Sequence, residues 1–267
     1  MVAYFSKRNR ALLSELVRTD FKLRYQGSVL GYAWSLLRPL LMFVILYVVF
    51  TKFLKIGSDI KYYPVYLLLG IVLWNFFNEM TTRSLTSVVD RGDLLRKILI
   101  PRWIIVLSSS IAALINLVLN MVVIAIFMVI SGVDITMNVF WLPLIIVEVY
   151  LFGLGLSLFL ATVFVKFRDV SYIWEVLLQA GFYLTPILYP LTVVHNITFQ
   201  KLLLLNPMAQ AIQDARYSLV NPEQTITPHQ VFNGGYYILI PYVIVGVILV
   251  VGVWYFKKRS KYFAEDI

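Results

Sequence analysis

Residues 103–133 read WIIVLSSSIAALINLVLNMVVIAIFMVISGV, thirty-one positions without an Asp, Glu, Lys or Arg. Crossing the hydrocarbon core of a bilayer takes about 20 predominantly apolar residues. No water reaches that core, so backbone N–H and C=O groups must pair with each other, as they do in a helix. The run predicts a membrane-spanning helix and sets the fold class, an all-α integral membrane protein. Similar runs flank it at 27–51 (interrupted by Arg38), 62–78, 135–165 (interrupted by Glu148), 176–194 and 235–256. Six transmembrane helices per protomer are therefore expected, with both termini on the same side. The composition agrees: 60% of residues are hydrophobic, 14% are charged, and the mean hydropathy is +0.82, well above a soluble domain.

Orientation follows from the basic residues. Of 23 Lys and Arg, 18 fall in the segment up to Arg38, in 83–102, at Lys166 and Arg168, and in the tail 257–261; the other connections hold five. Cytoplasmic segments are enriched in Lys and Arg, so both termini are expected in the cytoplasm. The same asymmetry accounts for the net charge of +9 without invoking nucleic acid. The chain has no cysteine, which excludes a disulfide framework and thiolate chemistry. About 25 polar or amphipathic residues precede the first apolar run, so that span is expected to serve as its own signal anchor.

Three connecting segments have patterns of their own. In residues 1–26, Leu12, Leu13, Leu16, Val17 and Phe21 recur at helical spacing among basic residues, which predicts an interfacial helix. It is either a basic anchor on anionic lipid or a helix that also guards a channel entrance. Residues 88–102, VVDRGDLLRKILIPR, place Leu94, Leu95, Ile98 and Leu99 on one stripe. The preferred reading is a short helix docked in a groove of another protein, the alternative a helix resting on the membrane. Residues 192–234 are too many for a plain connection. There Asn206-Pro207 reads as a helix cap, Met208, Ile212, Ala215 and Leu219 share a face, and Asn221-Pro222 ends the element. This predicts an amphipathic helix that lies on the outer surface or re-enters the membrane.

None of the 13 glycines is followed by Lys, so the phosphate loop G-x-x-x-x-G-K-[ST] is missing. No cofactor is expected on this chain, and ATP with its Mg²⁺ would belong to a partner. His195 and His229 have no metal-ligand spacing. Glu79 and Glu175 lie near cytoplasmic ends, while Glu148 falls near mid-bilayer, where it is expected to pair with Asn116 or Asn120. The aromatic clusters Tyr25/Tyr32/Trp34, Trp74/Phe76/Phe77 and Phe182/Tyr183/Tyr189 suit either an interfacial belt or flat faces for sliding sugars. Gly27 and Gly31 form a GxxxG that suggests close helix packing.

Several motifs together resemble a known family. They are Asp20-Phe-Lys-Leu-Arg-Tyr25 with Ser28, Leu30, Gly31, Trp34 and Pro39; Leu69-Gly70 with Trp74; Leu95-Arg-Lys97 with Pro101-Arg102 and Ser108-Ser109; Phe167-Arg-Asp-Val170 with Tyr172 and Trp174; and Thr185-Pro-Ile-Leu-Tyr-Pro190 with Leu205-Asn-Pro207. Nearly end to end, the chain resembles the membrane permeases of ABC-2 type polysaccharide exporters, which serve O-antigen, capsule and teichoic acid export. The resemblance implies one transmembrane domain over 1–267, in the bacterial inner membrane, acting as a transport subunit rather than an enzyme. It also implies a homodimer joined by two cytoplasmic ABC ATPase subunits, a channel lined by spans one and five, and a polyprenyl-linked glycan or polyol-phosphate polymer as substrate.

Site residues carried over by that resemblance are Asp90, Arg91, Asp93, Leu94, Arg96 and Lys97 for ATPase coupling, in a coupling helix at 88–101. Arg18, Lys22, Arg24 and Tyr25 would meet the substrate at its entrance. Tyr32, Trp34, Trp74, Tyr183, Thr185 and Tyr189 are channel-lining candidates, and 192–234 would be an external gate. Two rivals stand: an ABC-2 exporter of a drug or small lipid, and a membrane enzyme acting on polyprenyl phosphate. The enzyme would need clustered Asp, His or Arg, for which Arg168-Asp169 is the only candidate.

Overall fold

A computed structural model describes residues 7–24, 28, 30–55, 60–97 and 100–263, without the side chains of 21, 23, 24, 32 and 95–97. The described elements are all helical. They are α1 (Lys7–Arg24), α2 (Trp34–Val48), α3 (Tyr63–Asp90), α4 (Gly92–Lys97), α5 (Trp103–Ser131), α6 (Leu142–Lys166), α7 (Val170–Leu184), α8 (Ile197–Leu204), α9 (Pro207–Leu219), α10 (Pro228–Val231) and α11 (Ile240–Arg259). Among the described residues, four helical stretches are long and apolar enough to cross a membrane: Trp34–Phe53, Trp103–Ser131, Met137–Lys166 and Tyr236–Tyr262.

The axis of the fold is α3. From Val65 to Trp74 every residue is buried, because α2, α5, α6, α7 and α9 surround it. A helix that is apolar all round has no face to give to solvent, and it forms the centre of the bundle. By contrast, α2 buries only Ser35, Pro39 and Phe43, a stripe spaced by four. Phe43 meets Phe127 of α5 edge-on at 5.5 Å.

On the far side of α3, α7 packs through Trp174, Leu178 and Phe182, again spaced by four, with the Trp174 indole N–H donating to Thr81 Oγ1 at 3.1 Å. Its other face is open. This helix starts and stops earlier than the apolar run 176–194 suggested: Pro186 disfavours helical backbone at Thr185, which is extended, so the helix ends at Leu184. Its 15 residues span about 22 Å, short of the hydrocarbon core by themselves.

Close packing in the bundle comes from glycines other than the expected pair. Gly27 lies outside the described residues, and Gly31 has φ +50° with open space where a Cβ would stand. Its use is the left-handed backbone. The close contact is between α6 and α11, where a Cβ on Gly252 would sit 2.1 Å from the Gly155 carbonyl oxygen.

Candidate functional site

In the middle of the bundle, α2, α3 and α5 enclose a polar cavity of about 250 Å³. Trp34 and Arg38 come from α2; Asn75, Asn78, Glu79, Thr82 and Arg83 from α3; Asn116 and Asn120 from α5. Glu79 is fixed from two sides, by Arg83 at 3.3 Å and by the Asn116 amide at 2.7 Å. The expected partner of Asn116 was Glu148, but Glu148 faces α9 and α11 instead, and Glu79 takes the amide.

Asn120 has a structural task in the same wall. Pro39 has no N–H to give to the carbonyl of Ser35 one turn earlier. The Asn120 amide donates to that oxygen at 3.3 Å and closes the gap. The Arg38 guanidinium stands at the mouth beside the half-exposed Trp34. A cation, several amides and an indole, set into helices that are otherwise apolar, can receive an anionic group and a sugar face together.

A second polar knot lies at the end of α3 that carries Arg91. Arg91 forms an ion pair with Asp20 of α1 and donates to Ser108 Oγ of α5 at 3.1 Å, and Ser108 reaches Asp20 Oδ2 at 3.3 Å. One guanidinium thereby ties α1 to the α3–α4 corner and to α5. Burial pushes it down from the usual arginine value, but a guanidinium keeps its proton. Among the residues expected to meet the ATPase, Arg91 is thus turned inward, whereas Asp90 and Asp93 are exposed and Leu94 half-buried. The side chains of Arg96 and Lys97 lie outside the described residues.

A third site was not anticipated. Arg216 of α9 is fully buried. Its Nε donates to the Tyr66 carbonyl at 3.2 Å, Nη1 to that of Pro186 at 2.6 Å, and Nη2 to that of Ile187 at 2.7 Å. The guanidinium carbon lies 3.5 Å from the centre of the Tyr66 ring. Gly70 makes room: a Cβ there would be 2.7 Å from Nη2. Arg216 therefore pins α9 to α3 and to the turn after α7. A signal was present in the sequence, since Arg216 is one turn after Ile212 and two after Met208, within the apolar stripe.

The expected end groups of α9 are in place. The Asn206 side chain accepts from the Met208 N–H at 3.0 Å, and Pro207 opens the helix. Neighbouring helices cover more than the apolar face of α9: Gln210, Gln213, Arg216 and Ser218 are buried as well.

Of the entrance candidates, Arg18 and Lys22 are exposed on α1; the Arg24 side chain and Tyr25 lie outside the described residues. Among the channel candidates, Trp34 and Tyr183 are exposed, at 43% and 61%. Trp74 and Thr185 are buried, Trp74 against Phe182 and Gly181. The Tyr189 hydroxyl donates to the Leu184 carbonyl at 3.3 Å, and the Tyr32 side chain lies outside the described residues.

Residues 11–220 match the family model described as ABC-2 type transporter. The O-antigen export system permease protein RfbA of Myxococcus xanthus is 29% identical over 263 residues, covering 97% of this chain and 96% of that protein. The protein of the same name from Klebsiella pneumoniae is 30% identical over 255 residues, covering 95% and 94%. With a spanning all-helical bundle, a polar cavity at its centre and a match over most of its length, this chain belongs to the ABC-2 type transporter family.

Proposed function

We propose that this chain is the membrane permease of an ABC exporter that carries a polyprenyl-linked polysaccharide of O-antigen type out of the cytoplasm. Two copies would assemble with two ATPase subunits that supply ATP and Mg²⁺. The observation that carries the reading is the cavity between α2, α3 and α5, whose cation, amides and indole suit a lipid-linked phosphate and its first sugar. The full-length likeness to two permeases named for O-antigen export supports the substrate class.

In this reading the helix count is six. The 28 residues of α3 cover about 42 Å, enough to cross, and α7 completes a crossing together with the turn that follows it. The distribution of basic residues favours cytoplasmic termini. A channel between two copies is favoured by α2 and α7, each packed along one stripe only. The open surface of α7 carries a stripe of Tyr172, Glu175, Gln179 and Tyr183, suited to a sliding glycan, beside the exposed apolar Ile173, Val176, Leu177 and Leu184, suited to lipid tails or a second copy. Motion would enter through α4, with α1 following because Arg91 joins them.

The test is reconstitution of the chain with its partner ATPase in proteoliposomes. Polyprenyl-linked O-antigen is expected to stimulate ATP hydrolysis and to appear on the far side, and Arg38→Ala is expected to weaken both. Stimulation by small amphiphiles with no response to the glycan lipid would favour the drug or small-lipid reading and defeat this one.

A further inference from the structure

A second, larger cavity of about 830 Å³ lies between α6, α9, α10 and α11. Much of its wall is apolar, including Leu144, Leu151, Val245 and Leu249. Its polar end is formed by Glu148 of α6, Asp214 of α9 and Tyr242 of α11, gathered around the carboxamide of Gln210. Gln210 Nε2 lies 2.5 Å from Asp214 Oδ2, 3.1 Å from the Tyr242 hydroxyl and 3.5 Å from Glu148 Oε2.

Counting hydrogens shows what the cluster lacks. The carboxamide brings two N–H groups and the phenol one O–H, against four carboxylate oxygens and the amide oxygen. Gln210 is 1% exposed, and its Oε1, like Glu148 Oε1, is buried and accepts no hydrogen bond among the described residues. His229 lies on the same cavity and draws the Asp214 carboxyl down, but burial outweighs it and pushes that carboxyl up. With both carboxyls ionised, the site is short of both donors and positive charge.

We propose that this cavity binds an aminophospholipid, its primary ammonium donating to the Glu148 and Asp214 carboxylates and the Tyr242 oxygen while an acyl chain lies on the apolar wall. A primary ammonium carries three N–H donors on one compact charge, which matches the two carboxyl groups and the phenol oxygen that line this end of the cavity. Trp141 and Tyr217 line the same cavity. A bare metal ion would use the carboxylates but leave the apolar length empty; a lipid uses both. Access is from the bilayer, because Val147 on α6 and Val243 and Val247 on α11 are exposed apolar side chains beside the cavity.

The experiment uses the full chain with its partner ATPase in nanodiscs of phosphatidylethanolamine and phosphatidylglycerol in equal amounts. Native mass spectrometry after extraction reads the lipid retained. The wild type is expected to retain phosphatidylethanolamine at least about fivefold over phosphatidylglycerol, a ratio worth about 1 kcal/mol. Glu148→Gln keeps the shape, removes the charge and should abolish the preference. Gly246→Leu carries the test independently: a Cβ there meets nothing within 4 Å, so the larger side chain fills the apolar length without touching the acidic end, and should lower retention of both lipids. Retention in bilayer proportion by the wild type, an unchanged preference in Glu148→Gln, full retention in Gly246→Leu, or displacement of the lipid by millimolar Mg²⁺ overturns the proposal.

Discussion

Replacing Gly70 with Ala adds one methyl group at the centre of the bundle, and its consequence depends on Arg216. The new Cβ would stand 2.7 Å from Nη2 and 3.5 Å from Cζ of the guanidinium. An ordinary contact needs Nη2 to retreat by several tenths of an ångström. That movement stretches the 2.7 Å bond to the Ile187 carbonyl and disturbs its neighbour to Pro186. Overpacking of this kind costs about 1–3 kcal/mol. A weakened charge-assisted hydrogen bond adds about 1–2 kcal/mol, so Gly70→Ala should destabilise by about 2–4 kcal/mol. Arg216→Ala alone leaves the two buried turn carbonyls of Pro186 and Ile187 short of a donor and should cost about 3–5 kcal/mol. The decisive variant is the double one. With the guanidinium gone, the methyl has space, and the two costs should fall short of additive by about 1–3 kcal/mol. Equilibrium unfolding of the four proteins in mixed micelles measures that coupling. Additivity within about 0.5 kcal/mol would show that Gly70 is not there to make room for Arg216 and would refute the pin.

Four further outcomes are expected. Gly252→Ala should prevent stable folding or cost more than about 3 kcal/mol, because its Cβ meets the Gly155 backbone, while Gly246→Ala in the same helix should be neutral or gain about 0.5–1 kcal/mol; melting temperatures compare them. Asp20→Asn weakens the knot around Arg91 and should loosen α1 by about 1–3 kcal/mol, seen as faster hydrogen exchange across Lys7–Arg24 with α9 unchanged. Burial raises the Asp214 carboxyl above its ordinary value of 3.8, so the folded state binds more protons than the unfolded one. Stability should then fall as pH rises from 3.8 through the raised value, and Asp214→Asn should flatten that slope in melts run from acid to neutral pH. Replacing Leu94 and Arg96 together by Ala should leave an assembled complex whose ATP hydrolysis no longer drives export; normal export from that variant would remove α4 from the coupling path.

How much of this was readable in the sequence depends on the range of the interaction concerned. Local signals carried far, since the uncharged run 103–133 gives α5 and Asn206-Pro207 gives the cap of α9, but the apolar run 176–194 passes over Pro186, where α7 stops. The partners of intramembrane polar groups were not local. Asn116 and Asn120 share a face of α5, but whether that face meets Glu79 or Glu148 depends on how α3 and α6 are rotated, and periodicity in helices apolar nearly all round leaves rotation open. Charge statistics misplaced Arg216 for a related reason. Counted as one of five basic residues in the outer connections, it looks solvated, because a cation is ordinarily left out of a core. Its surroundings answer that objection piece by piece. Pro186 and Ile187 sit in a turn whose carbonyls lack a helical donor, Tyr66 supplies a ring face and a carbonyl, and Gly70 yields the volume of a side chain. Each of those residues looks ordinary alone, and Leu69-Gly70 and Thr185–Pro190 read as separate motifs more than a hundred positions apart. They belong to one site, in which the turn after α7 cannot move without α9. If α7 borders the path of a polymer, as proposed, its outward displacement must either break the two buried hydrogen bonds from Arg216 to the Pro186 and Ile187 carbonyls or carry α9 along and give up the bond from Arg216 to Tyr66 of α3.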